Sequence, residues 1–201
     1  MMSKKSMWTL KLSTAAIALI PAAIGINYLG KLFAGLLKLP LWLDSIGTVL
    51  ASMLAGPIIG ALSGIINNVI FGLTVDPIST VYAITSGAIG LVVGVMAYKG
   101  WLKSIKTAIV IGLVVGLVAA VVSTPLNIIF WGGQTGNVWG DAFYAFLVSN
   151  NFPVWLASFG DSIVVDVPDK VATVIVSYLI FRGLPKNFIS IFRGSDKIEE
   201  L

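Results

Sequence analysis

Apolar residues in this chain are gathered into long, nearly unbroken runs, parted by short polar or proline- and glycine-marked breaks. That pattern fits membrane spans better than amphipathic helices or alternating strands. Five runs cover residues 12–29, 41–55, 57–73, 78–98 and 107–131. Gly56-Pro57 parts the second from the third, and Asp76-Pro77 turns the chain before the fourth. A sixth run ends at Phe181, and its start has two readings. Asp166 as N-cap, Pro168 in the first turn and Asp169 at N3 would open a short helix at Val167. Alternatively, one kinked helix begins near Pro153.

The connecting pieces differ in character. Gly30–Pro40, with Lys31, Lys38 and several leucines, reads as a loop or short amphipathic piece at the membrane surface. Residues 132–152 form a glycine- and amide-rich connection with a short surface helix around Asp141–Val148, and a polar tail covers 182–201. The first run is longer than a signal-peptide core and more runs follow, so a retained first helix is expected. The expected fold is therefore an all-α integral membrane protein of six transmembrane helices in one domain.

Composition supports this and removes several chemistries. Of 201 residues, 57% are hydrophobic and 11% charged, against about 25% charged in soluble domains. Histidine and cysteine are absent, which excludes disulfides, thiolate chemistry and zinc sites built on those ligands. The net charge of +4 reflects orientation, not nucleic-acid binding. Lys4, Lys5, Lys11, Lys99, Lys103, Lys106, Arg182, Lys186, Arg193 and Lys197 fall on one side of six crossings, and Lys31 and Lys38 on the other. The positive-inside rule then puts both termini in the cytoplasm and residues 132–152 outside. Trp8 and Trp101 mark the inner interface, and Trp42, Trp131, Trp139 and Trp155 the outer one. Gly25–Leu32 imitates a phosphate-binding loop, but Leu32 stands where a hydroxyl is needed and no strand precedes it.

Small residues recur every four positions: Thr14, Ala18 and Ala22; Ser52, Gly56, Gly60 and Gly64; Ser86, Gly90 and Gly94; Gly112, Gly116 and Ala120. Such stripes let helices approach closely. The first serves either a partner or packing within the bundle.

Polar groups inside apolar runs are costly and mark binding cavities or pathways. Asp44, Asn67, Tyr82, Asn127, Trp131, Gln134, Asp161, Asp166, Asp169 and Lys170 are the candidate ligand contacts, and the assumed topology puts them all in the outer half. A channel needs polar groups through the whole depth, whereas a pocket open to the outside needs them only there. Amides and hydroxyls both donate and accept, and Trp131 or Tyr82 could stack on a ring. Plainer roles exist for each. Asp44 and Asp166 could cap helices, and Asp169 and Lys170 could pair with each other or with Asp44. Asn67 could bond between helices, and Asn127 could satisfy backbone freed by Pro125. No cofactor or metal is expected.

L-D-S-I-G-T-x-L-A followed by G-P-x-x-G-x-x-x-G-x-x-N-N, from Leu43 to Asn68, resembles spans two and three of the substrate-specific S-components of energy-coupling factor (ECF) vitamin transporters. D-x-P-D-K at Asp166–Lys170 and the stripe in helix one are similar to them as well. The resemblance implies a six-helix subunit in a prokaryotic plasma membrane that binds a water-soluble vitamin or precursor from outside. It would dock on a transmembrane coupling subunit carried by two ABC-type ATPases, through Thr14, Ala18 and Ala22, and toppling would deliver the solute. Pro21 inside that stripe departs from the family pattern. The loop after helix one, Gly30–Pro40 here, would cover the site. Pyridoxine-type vitamin B6 or hydroxymethylpyrimidine is the nearest substrate class, with riboflavin, thiamine, pantothenate, folate, queuosine precursors and niacin also open. The competing readings are a sensor or scaffold that binds a ligand without transport, and an intramembrane enzyme. No nucleophile–base arrangement supports the enzyme.

Overall fold

The computed structural model describes residues 13–193, all helix and connection with no strand among them. Lys4, Lys5, Trp8, Lys11 and Lys197 lie outside the described residues. Eight helices follow in order: α1 (Thr14–Leu36), α2 (Ile46–Ala55), α3 (Pro57–Thr74), α4 (Ala83–Tyr98), α5 (Ile105–Trp131), α6 (Val138–Ser149), α7 (Val154–Gly183) and α8 (Lys186–Arg193). A short 3₁₀ turn at Pro77–Thr80 precedes α4.

Three helices, α1, α3 and α5, are long and apolar enough to cross a membrane. Their outward faces are apolar too: Ile109, Val110, Leu113, Leu117 and Val121 on α5 are exposed. The expectation of six comparable spans is not met in these terms. α2 and α4 have 10 and 16 residues, and α7, with 30, carries Asp161, Asp166, Asp169 and Lys170 along its buried side.

One boundary differs from the sequence reading, and one open choice is decided. α1 runs through Gly30 to Leu36, so the supposed loop is confined to residues 37–45. Gly30 is a contact rather than a break: a Cβ there would stand 2.2 Å from the Leu43 carbonyl oxygen. The last helix follows the second of its two readings: α7 starts at Val154, directly after Pro153, and Pro168 lies inside it. Asp166 is therefore no N-cap. It and Lys170 sit roughly 18 and 24 Å along the helix, halfway down rather than at its end.

The stripes do what small residues allow. On α4, Gly90 meets the backbone of Ala61, and Gly94 that of Pro57, where a Cβ would come within 2.4 and 2.3 Å. On α5, Gly112 and Gly116 press against Val171 and Val167 of α7, with corresponding distances of 2.6 and 2.7 Å. The α1 stripe behaves differently: Thr14, Ala18 and Ala22 are exposed, and Ala16, Ala23, Asn27 and Ala34 face the bundle.

The apolar core occupies the end of the bundle near the Lys99–Lys106 turn. Val49, Met53, Leu54, Val93, Leu102, Ile111, Val115, Val174 and Phe181 pack there, with Ile89 and Ala119 at its upper limit. Above those two residues the interior turns polar.

Candidate functional site

The polar interior is a cavity of about 90 Å³, floored by Ile89 and Ala119 and open at the end away from the basic turn. Lys31, Trp42, Asp44, Asp76, Asp166 and Lys170 form its charged side, and Tyr82, Thr85, Ser86, Ser123 and Asn127 its neutral side. Lys31 and Trp42 also border a largely apolar outer chamber of about 400 Å³, between the end of α1, residues 39–42 and residues 136–138.

The charged side is built by α7 and the non-helical stretch before α2. The Lys170 ammonium donates to Asp44 Oδ1 at 3.0 Å, to Ser45 Oγ at 3.1 Å and to Asp169 Oδ2. These contacts use all three of its donors. Asp169, fully buried, also accepts the backbone N–H groups of Trp42 and Leu43 at 3.1 and 2.8 Å. It thereby ties residues 42–43 to α7, and Leu43 is held there at φ 52°. Backbone without helical partners at this depth needs such acceptors. Asp44 receives a second bond from Ser45 Oγ at 2.6 Å.

The first turn of α2 has no cap from its own N-cap Ser45. Asn27 of α1 supplies it, accepting from Gly47 and Thr48 N–H at 2.7 and 3.3 Å and donating to Thr48 Oγ1 at 2.8 Å. At the mouth, Lys31 donates to Ser79 Oγ at 2.6 Å and lies 4.5 Å from the Phe71 ring centre. Ser79 in turn donates to Asp76.

The neutral side is largely paired within itself. Tyr82 donates to Asn127 Oδ1 at 2.5 Å, and Asn127 donates to Ser162 Oγ at 3.0 Å. Thr85 and Ser123 bond at 3.2 Å, and Asn68 donates to Ser86.

Of the residues expected to touch a ligand, Asp44, Tyr82, Asn127, Asp166 and Lys170 line this cavity. The others lie elsewhere. Asn67 is fully buried outside the lining, with both amide atoms unpartnered. Trp131 is also outside the lining, its buried indole N–H beside the Tyr82 hydroxyl. Gln134 is exposed. Asp161 accepts from the Thr135 N–H and hydroxyl and so fastens the loop after α5. Asp169 works from behind, as a brace.

Lys31, Trp42, Asp76, Ser79, Thr85, Ser86, Ser123 and Thr135 join the lining without having been anticipated as contacts. Helical spacing carried some of the signal: Ser86 follows Tyr82 and Asn127 follows Ser123 by four, which puts each pair on one face. Among the described residues no group is arranged to hold a metal ion. No family model, curated protein or solved structure matches the chain.

Proposed function

We propose that this protein is a membrane-embedded capture subunit, taking a small water-soluble ligand into the polar cavity and handing it to a partner that supplies energy. The observation that carries the reading is the division of the interior, a polar cavity open at one end above a dry core. Such a chamber holds a solute but offers no polar route through the bundle.

The motifs shared with ECF S-components make a vitamin or vitamin precursor the proposed ligand. The cavity of about 90 Å³ is smaller than an engineered void of about 150 Å³ that accommodates benzene. A single ring of the pyridoxine or hydroxymethylpyrimidine kind would therefore have to widen it or project through its open end, and fused rings are disfavoured further. The exposed Thr14–Ala18–Ala22 face of α1 is the proposed docking surface for the coupling subunit with its two ATPases. In this reading the chain lies in a prokaryotic plasma membrane with its basic end inside, and hydrolyses nothing itself.

The test is to purify the protein in mild detergent, extract any bound compound for mass spectrometry, and titrate that compound against tryptophan fluorescence. Trp42, on the cavity wall, should report occupancy. A stoichiometric single-ring vitamin with saturable quenching is the expected result. Protein that carries nothing and stays silent to a full vitamin panel would remove the capture reading and favour a sensor or scaffold.

A further inference from the structure

The cavity's charges are unevenly satisfied. Along the lining two lysines face three aspartates, and Asp169 behind them adds a fourth. Three of these acids are occupied. Asp44 and Asp169 share Lys170 and accept further donors, and Asp76 accepts from Ile78 N–H and Ser79 Oγ. Both lysines are engaged as well, Lys170 with its full set of partners and Lys31 with Ser79 and Phe71.

Asp166 is the exception. It is 7% exposed, lines the cavity, and pairs with neither lysine. The Trp42 indole N–H donates to it, but a neutral indole does not cancel a charge. A carboxylate withdrawn from water without a counter-ion is costly, and an incoming cation offsets that cost. An anionic ligand would meet Lys170 already shared by two acids and only Lys31 at the mouth without an acidic partner, and would add to an excess of negative charge.

We infer that the cavity selects its ligand by charge, with Asp166 receiving a protonated or amino nitrogen on a single-ring compound. This rests on the capture reading above. It favours ligands with an aminopyrimidine, amine or basic ring nitrogen, and disfavours carboxylates such as pantothenate, folate or nicotinate.

The test uses three probes that share one ring: 3-(aminomethyl)pyridine, 3-(hydroxymethyl)pyridine and pyridine-3-carboxylate. Each is titrated into the purified protein at neutral pH by tryptophan fluorescence. The amine should bind roughly tenfold or more tighter than the alcohol, and the carboxylate more weakly than either. In Asp166→Asn the gap between amine and alcohol should close, the amine losing the larger share of its affinity. Should that variant fold poorly, the order of the three probes on the unaltered protein decides.

A carboxylate that binds as tightly as the amine, an unchanged gap in the variant, or silence toward all three probes overturns the inference. A co-purified compound that binds saturably yet has no basic or amino nitrogen also overturns it and leaves the capture reading standing. Failure to find any saturable ligand removes both.

Discussion

The two ends of the bundle are held together by different physics. Near the Lys99–Lys106 turn, α7 packs Val174, Tyr178 and Phe181 into an apolar core. Toward the other end the same helix turns Asp161, Asp166, Asp169 and Lys170 inward. The dry half gains from apolar area removed from water, spread over many contacts. The polar half concentrates its energy in a few charges, each of which depends on its partners. Between them Gly112 and Gly116 hold α7 against α5 at backbone contact, so one seam positions both halves. The scaffold and the chemistry thus lie on adjacent sides of one helix: Val167 and Val171 meet α5, and Asp166 and Lys170 meet the cavity.

The sharpest way to break this contrast is Lys170→Met. It leaves Asp44 and Asp169 facing each other without the cation, and should cost about 3–5 kcal/mol, read as a large fall in thermal midpoint in detergent. A midpoint within a degree or two of wild type would mean that the cluster stabilises little. Gly116→Leu tests the seam. Its side chain would run into the Val167 backbone, and overpacking of this kind costs about 1–3 kcal/mol. Ligand affinity should fall with stability, because Asp166 and Lys170 move with α7.

Tyr82→Phe probes the neutral side alone. It removes one hydrogen bond to Asn127, worth about 1 kcal/mol, and should lower the midpoint by a few degrees, with a smaller loss of binding as Asn127 loses its anchor. Ala18→Leu should have the smallest effect on the isolated protein, leaving midpoint and affinity unchanged because Ala18 is exposed. If that face docks on a coupling subunit as proposed, uptake in cells should nevertheless be lost. A destabilised variant would instead make that face part of the bundle.

Much of the helical layout was legible, because long apolar runs and Gly-Pro or Asp-Pro breaks are local signals. α3 and α5 begin and end within about two residues of the predicted 57–73 and 107–131. What misled were residues with two uses. Gly30 reads as a helix breaker from composition, yet it is required by the nearby Leu43 carbonyl inside a continuous α1. Asp166, Pro168 and Asp169 carry the spacing of a helix start, which left a continuous helix from Pro153 undecided; Pro168 is tolerated on the exposed side of α7 while both acids face inward. The site was half legible for the same reason. An acid in an apolar run announces cost, but whether it touches a ligand or braces a loop depends on tertiary partners. Asp166 and Asp169, three positions apart, divide those roles.

The contact of Gly30, Leu43 and Asp169 bears on how substitutions here combine. Leu43 holds a left-handed backbone, which costs about 1–2 kcal/mol for a residue with a side chain. The Asp169 carboxylate on its N–H and the bare Gly30 against its carbonyl keep it there. Three stretches far apart in the chain therefore share one local geometry. Once one is altered, the other two have less left to lose, so the energies of double changes among them will fall short of the sum of the single ones. A map of single substitutions would then show three separate sensitive positions where the molecule has one coupled unit.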